Sequence, residues 1–216
     1  MLTPSRAARR IGLMGGSFDP VHVAHVALAE TALSHLQLDE VRWIPVGQAW
    51  QKQRTLVDAA HRIAMVQAAT AHEPRFVVDP IEVERAGPSY TLDTVQALQA
   101  AYGSEAEWFL IMGQDQYANL DTWRDWPDLL ARVTLAVACR GDDQPHASPA
   151  LAAHPHRVVT LPLPAHHVSS TEIRTRLAHG DDPLSLAPAL VSLPVARYIV
   201  NHQLYAPGRP PLNGHP

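Results

Sequence analysis

Residues 11–25 read IGLMGGSFDPVHVAH, and this stretch decides the fold. Residues 11–14 form an apolar run of strand length, and paired glycines follow it. Asp19 is a favoured helix N-cap residue and Pro20 a favoured first helical residue. Apolar side chains then recur at helical spacing through residues 21–36. The stretch predicts a strand, a tight turn and a helix whose N-terminus points at the carboxyl edge of a sheet, where doubly wound folds bind ligands.

Strand-length apolar runs continue to alternate with helical periods along the chain, as in βα units around a parallel sheet. Further strands are predicted at 41–46, 76–83, 108–112, 133–139 and 158–163. Further helices are predicted at 58–71, 90–102, 170–179 and 195–204, with short helical turns over 120–130. The predicted fold class is α/β: a single doubly wound Rossmann-like domain over residues 10–205, with a mostly parallel sheet and helices on both faces. The termini, 1–9 and 206–216, are predicted to be flexible, and the polar segment 141–156 to be a mobile loop.

Composition narrows the classes of partner. The chain has 216 residues, 46% of them hydrophobic, and a formal net charge of -4. This balance gives no support for a nucleic-acid or anionic-membrane partner, and no apolar run approaches the roughly 20 residues of a membrane span. Cys139, the single cysteine, excludes an internal disulfide and a zinc–thiolate site, and lies in a predicted core strand. We expect a cytoplasmic protein without a metal site of its own. A homo-oligomer is left open, since no residue argues for or against one.

His22 and His25 lie three residues apart in the first turn of the predicted helix. A charged imidazole is disfavoured there by the helix dipole unless an anion compensates it, so the pair fits a polyphosphate lying against it. Two satisfied surface or core histidines remain an alternative, as does a metal pair, although no third ligand is evident. Neither a Walker A motif nor G-x-G-x-x-G is present, so a P-loop ATPase and a dinucleotide oxidoreductase are not indicated.

A second segment, residues 167–174, reads HVSSTEIR. Ser169 and Glu172 have the spacing of a capping box, which predicts a helix start. Hydroxyl groups at this N-terminus, with Arg174 one turn in, would form a second anion site. The alternative is a well-capped helix with a solvated arginine.

These two segments resemble the signatures of the nucleotidyltransferases with H-x-G-H motifs. Residues 16–25 match the first signature with Ala24 in place of the usual glycine, and residues 168–174 resemble the I-S-S-T-x-I-R segment that binds the triphosphate. The two motifs fall near opposite ends of the chain, as they do in that family.

Three further features are similar to those of bacterial nicotinate mononucleotide adenylyltransferases: residues 88–94, residues 113–115 and Trp123. The likeness runs from about residue 10 to 205. It departs after the second strand, where the family commonly has P-P-H-[KR] and this chain has Ala49-Trp50-Gln51-Lys52. Lys52 keeps the positive charge, whereas Gln51 replaces the histidine and Trp50 has no assigned role.

The resemblance implies adenylyl transfer from ATP to nicotinate mononucleotide, giving nicotinate adenine dinucleotide and pyrophosphate, with Mg²⁺ entering bound to ATP. It implies catalytic roles for His22, His25 and Arg174. It assigns ATP binding to Gly16, Ser17, Phe18, His22, His25, Asp115, Ser170, Thr171 and Arg174. It assigns binding of the mononucleotide to Lys52, Ser89, Tyr90, Thr91 and Trp123.

The residues alone leave blander interpretations open. Asp115 reads equally as a turn residue, and Trp123 as a lid over apolar surface. The same chemistry on nicotinamide mononucleotide or phosphopantetheine, a cytidylyl transfer, or a non-catalytic nucleotide-binding regulator are the alternative functions.

Overall fold

A computed structural model describes residues 8–47, 56–103, 105–139, 143–164 and 167–206. Its strands are β1 (Arg9–Gly16), β2 (Glu40–Pro45), β3 (Phe76–Val78), β4 (Ala106–Gly113), β5 (Thr134–Cys139) and β6 (Arg157–Pro162). Its helices are α1 (Val23–His35), α2 (Ala59–Thr70), α3 (Ile81–Glu84), α4 (Thr91–Tyr102), α5 (Gln114–Ala118), α6 (Trp126–Arg132), α7 (Pro149–Ala152), α8 (Ser170–Ala178) and α9 (Leu193–Asn201). Short 3-10 turns lie at Leu120–Thr122 and Pro183–Leu186.

The strands form one sheet in the order β3-β2-β1-β4-β5-β6, and each neighbouring pair is parallel. This is the strand order of a doubly wound Rossmann fold, so the predicted fold class is confirmed. The chain winds outward in both directions from β1 and β4, which pair with Leu13 opposite Leu110. The carboxyl ends of these two strands therefore border the crevice where such folds bind ligands.

Helices cover both faces of the sheet. One core packs α1, α2, α8 and α9 against it and includes the fully buried Ala29, Trp43 and Ile199. The other core packs α4 to α7 and includes Val95 and Leu129. Cys139 lies in this second core at the end of β5, so its prediction as a buried strand residue is confirmed. Within the described ranges no helix is both long and apolar enough to cross a membrane.

The predicted strand over 76–83 is wrong beyond its third residue. β3 stops at Val78, and the chain turns into the short helix α3. The Asp79 carboxylate accepts the Ile81 amide proton at 3.1 Å, and this Asx-type turn leads into the helix in place of further strand. The turn brings Glu82 back towards the sheet, where it is buried.

The segment 141–156, which was predicted to be a mobile loop, contains a short helix in its described part. α7 lies within it, with Leu151 fully buried. The Ser148 hydroxyl donates to Asp121 at 2.8 Å, and the Gln114 amide donates to the His146 carbonyl at 2.8 Å. These contacts hold the segment against α5 and the turn after it.

Candidate active site

A cavity of about 410 Å³ opens at the carboxyl ends of β1, β2 and β4, next to the crevice between β1 and β4. Its floor is formed by the last residues of these strands, Gly15, Ile44 and Met112 among them. The predicted site residues that line it are Gly16, Ser17, His25, Ser89, Tyr90, Thr91, Trp123 and Ser170. Residues more than 150 positions apart in the sequence therefore share one site.

The sequence predicted a turn at the paired glycines, but the turn lies beyond them. Both glycines belong to β1, and it is Phe18 that takes the left-handed conformation, with φ of 45°. Its buried ring lies against Gly16, where a Cβ would be 2.9 Å from the ring, and its centroid is 5.2 Å from that of His25. Gly16 is thus needed to admit the Phe18 ring, which in turn supports His25.

Asp19 is not the N-cap of α1, and Pro20 is not its first residue; both predictions are wrong. The helix begins at Val23 with His22 as its N-cap, and the Asp19–Pro20 peptide bond is cis. The side chain of Asp19 is fully buried and accepts the Tyr205 hydroxyl proton at 2.7 Å. The carboxylate that was predicted to cap α1 is therefore bonded instead to Tyr205, which follows α9.

The two histidines of the first motif form a stacked pair. Their ring centroids are 3.6 Å apart, and the Nδ1 of His25 accepts the backbone amide proton of His22 at 3.2 Å. Because Nδ1 is the acceptor, the neutral His25 ring carries its proton on Nε2, and that nitrogen is the donor it can offer a ligand. His25 lines the cavity, whereas His22 is buried behind it.

The second motif holds the loop of the first. Ser169 caps α8 by accepting the Glu172 amide proton at 3.1 Å, so the predicted helix start is confirmed. The Ser170 hydroxyl donates to the Pro20 carbonyl at 2.9 Å, and the Arg174 Nη1 donates to the Asp19 carbonyl at 2.7 Å. The Arg174 Nη2 also donates to the Thr171 hydroxyl at 3.1 Å. Both motifs therefore meet at one point through direct hydrogen bonds.

Ser89, Tyr90, Thr91 and Trp123 line the other end of the cavity, hereafter the base end. Ser89 is buried, and its hydroxyl accepts the Gly47 amide proton at 3.2 Å. A Cβ on Gly47 would lie 2.0 Å from the backbone carbonyl oxygen of Glu82, so only glycine fits where β2 runs into this end. Trp123 packs on the core while it faces the cavity, so the lid and the ligand contact are compatible readings.

Some predicted site residues stand away from the cavity. Asp115 lies in the first turn of α5, at the carboxyl edge of β4 as predicted, with its side chain exposed. Thr171 is exposed at the start of α8, beside Arg174. Lys52, together with Trp50 and Gln51, lies outside the described residues.

Sequence reasoning missed a polar cluster in the cavity wall. The Thr94 hydroxyl donates to the buried carboxyl of Glu82 at 2.8 Å and accepts from the Arg85 guanidinium at 2.9 Å. Burial raises the pKa of the Glu82 carboxyl, and the hydrogen bond from Thr94 and the charge of Arg85 oppose that rise. Gln116 and Arg124 also line the cavity. The erroneous strand over 76–83 concealed Glu82, since it placed that residue in a strand at the sheet edge.

Arg62 is the second residue that was missed. It is 2% exposed, and it donates to the carbonyls of Val57, Val46 and Ser17 at 2.9, 2.8 and 3.0 Å. An arginine in a predicted helix reads as a solvated side chain, and no local signal marks it otherwise. Here it holds the loop after β1 against the end of β2.

Among the described residues no group of three or more His, Cys, Asp or Glu side chains is arranged to hold a metal ion. Besides the carboxylates of Asp19, which Tyr205 engages, and of Glu172, the polar side chains of the two motifs are hydroxyls, imidazoles and a guanidinium. These groups suit anions.

Known proteins place this arrangement in a family. The family model described as Cytidylyltransferase-like matches residues 13–176. A protein of Methylibium petroleiphilum named "Probable nicotinate-nucleotide adenylyltransferase" is 54% identical over 93% of this chain and 94% of its own length. The chain belongs to the cytidylyltransferase-like family, among its nicotinate-nucleotide adenylyltransferases. The family resemblance seen in the sequence is confirmed.

More distant proteins agree with this membership. A Bordetella petrii protein of the same name is 46% identical over 91% of this chain and 99% of its own length. The solved structure of Plasmodium falciparum nicotinic acid mononucleotide adenylyltransferase complexed with NaAD matches with a TM-score of 0.75. That match covers 91% of this chain and 97% of the other at 16% identity, so it supports the fold alone. This family member therefore shares its sheet and helix layout with a distant enzyme.

Proposed function

We propose that this chain transfers the adenylyl group of ATP to nicotinate mononucleotide, producing nicotinate adenine dinucleotide and pyrophosphate. The observation that carries the proposal is the junction of the two motifs: Ser170 and Arg174 bond to the carbonyls of Pro20 and Asp19 beside the stacked histidines. This junction sits next to a cavity whose other end offers Tyr90 and an indole face to a flat ring.

The reaction needs positioning and charge stabilisation more than proton transfer. The phosphate of the mononucleotide is already ionised, and one of its oxygens attacks the α-phosphorus of ATP in line. As that P–O bond forms, the bond from the α-phosphorus to the oxygen bridging it to the β-phosphate breaks, and pyrophosphate leaves with the electron pair. No protein nucleophile or general base is required. The protein must hold two anions together and donate hydrogen bonds to the charge that develops.

The end of the cavity beside His25 and Ser170, hereafter the phosphate end, has donors suited to this task. The Nε2–H of His25 would donate to the ATP phosphates, and His22, stacked behind it, fixes the ring. Ser170, Thr171 and Arg174 would hold the β- and γ-phosphates at the N-terminus of α8, where the helix dipole favours negative charge. Gly16 and Ser17, with the backbone of Phe18, would border the same phosphates, and Asp115 would bind the ATP ribose. Lys52 would approach a phosphate of the mononucleotide.

The base end would receive the mononucleotide. Ser89, Tyr90 and Thr91 sit at the N-terminal end of α4, and Trp123 lines the same cavity. Mg²⁺ would enter as part of the ATP substrate, keeping several of its own waters and neutralising phosphate charge. The hydroxyl-rich and histidine-rich setting of the phosphate end fits a cation that arrives already chelated. A cytoplasmic location stays a prediction, and the oligomeric state stays open.

The proposal is tested by measuring pyrophosphate release from MgATP with a panel of acceptors: nicotinate mononucleotide, nicotinamide mononucleotide and phosphopantetheine. The expected result is a strong preference for nicotinate mononucleotide. A preference for another acceptor would retain adenylyl transfer and overturn the substrate. If ATP binds but no acceptor releases pyrophosphate, the chain is a nucleotide-binding regulator and the proposal is wrong.

A further inference from the structure

The base end of the cavity carries one strongly basic side chain. Of the described residues that line the cavity, Arg124 alone is an arginine or lysine. It directly follows Trp123, and both sequence positions precede α6. The family motifs described above assign Arg124 no role, and the phosphate-facing motifs lie at the opposite end of the cavity.

Arg124 is held against a residue of the base end. Its Cζ lies 4.5 Å from the centroid of the Tyr90 ring, which is a cation–π contact. Tyr90 is the N-cap residue of α4 and lines the cavity itself. A guanidinium resting on an aromatic face keeps its N–H groups directed outward in its own plane, where a carboxylate can accept two of them.

The ion pair that Arg124 already makes is one that a ligand can replace. Its partner is the adjacent Asp125, at 3.3 Å, and the two side chains are 55% and 56% exposed. Exposed ion pairs of this kind contribute little to stability, because solvent screens both charges. A ligand carboxylate bound in the partly enclosed cavity would offer better geometry and less screening, so exchange of partners is favourable.

The acidic side chain in the same wall does not cancel this positive charge. Glu82 is the one Asp or Glu among the described lining residues. Its Oε1 accepts the Thr94 hydroxyl proton, and Arg85 is close enough for its charge to act on the carboxyl. Glu82 is therefore engaged by its own neighbours, whereas Arg124 faces the cavity from the rim.

We propose that Arg124 is a specificity-determining residue: its guanidinium pairs with the carboxylate on the pyridine ring and so selects the acid over the amide form of the mononucleotide. This rests on the proposed function, since it assigns one further contact to the same substrate. The amide cannot accept a bidentate charge-assisted pair, so the contact discriminates between two rings of nearly the same shape.

The test compares Arg124→Ala and Arg124→Lys with the wild type in kcat/KM for nicotinate mononucleotide and nicotinamide mononucleotide at saturating MgATP. Arg124→Ala is expected to lower kcat/KM for the acid by about 10- to 100-fold, as loss of a hydrogen-bonded charge pair implies, and to change that for the amide by no more than about twofold. Arg124→Lys keeps the charge and loses the fork, so its loss for the acid is expected to be smaller.

Arg132→Ala is the matched control. Arg132 lies at the end of α6, its guanidinium donates to Gln99, and it lines no part of this cavity. It is expected to leave the ratio of the two substrates unchanged. If Arg124→Ala leaves the ratio of kcat/KM for the acid to that for the amide unchanged, whether both values fall equally or neither falls, the proposal is overturned. If the wild type does not use nicotinate mononucleotide at all, the proposed function itself fails, and this result is separate from the variant comparison.

Discussion

Tyr205→Phe removes a single hydroxyl from the contact that fastens the end of the chain to the loop after β1. That hydroxyl donates to Oδ1 of Asp19 at 2.7 Å across 186 positions of sequence. Asp19 is fully buried, and its backbone carbonyl accepts the hydrogen bond from Arg174. The substitution therefore takes one donor from a buried carboxylate without altering the shape of the ring.

The magnitude follows from the kind of hydrogen bond that is lost. Hydrogen bonds to charged groups contribute about 1.5–3 kcal/mol, so we expect the free energy of unfolding to fall by about that amount. For a chain of this size, 1 kcal/mol corresponds to roughly 2–4 °C in Tm, which gives a decrease of about 3–12 °C. The KM for ATP should rise several-fold, because Asp19 and Arg174 would no longer be held in fixed positions.

Thermal and urea unfolding, together with steady-state kinetics, measure both effects. Tyr198→Phe is the matched control: its hydroxyl is hydrogen-bonded to Nδ1 of His61 at 3.0 Å in a half-buried cluster outside the cavity. That variant should lose no more than about 1 kcal/mol and keep its KM for ATP. A Tyr205→Phe variant as stable as the control, with an unchanged KM, would refute the reasoning.

Three further substitutions test the site. Gly47→Ala would place a Cβ 2.0 Å from a backbone oxygen, so we expect a lower Tm and weaker binding of the mononucleotide. Gly113→Ala is the control, since the space around its Cβ is open and the substitution should be tolerated. Equal Tm values for the two variants would contradict the account. His25→Ala should reduce kcat by about 10²- to 10³-fold, because it removes a hydrogen-bond donor to the charge that develops in the transition state. The control in turnover assays is His35→Ala, which changes an exposed histidine on the same helix. Full turnover in His25→Ala would remove the assigned role. Glu82→Gln should gain stability relative to the wild type as pH rises from about 4 to 7, since burial raises the pKa of this acid and deprotonation then costs folding free energy. A pH-independent difference in unfolding free energy would contradict that cause.

The sheet and most helices could be predicted from the sequence because their signals are local. The apolar run at 108–112 lies inside β4, and the helical period at 58–71 contains α2, whose N-cap Asp58 accepts the Ala60 amide proton. Each of these segments needs only its own periodicity and end signals to be recognised. The βα alternation then indicated the doubly wound, mostly parallel class of fold.

The errors arose where a distant residue decides the local structure. Asp19 is a residue type favoured at N-caps, but its carboxylate is bonded to Tyr205, and the helix starts four residues later. Arg62 looks like a surface arginine, but its partners are carbonyls on three other segments. Such contacts leave no periodic trace in the sequence. The phosphate-facing motifs were recognised because their residues are contiguous, whereas the Glu82 cluster was not.

The most direct test of the central claim follows the oxygen atoms. Nicotinate mononucleotide labelled with ¹⁸O in its phosphate is incubated with MgATP and the protein, and both products are analysed by mass spectrometry. Attack of the labelled phosphate on the α-phosphorus predicts nicotinate adenine dinucleotide that retains all of the label, formed in equal amount with unlabelled pyrophosphate. Label in the pyrophosphate, or release of pyrophosphate without the dinucleotide, would contradict adenylyl transfer to this substrate.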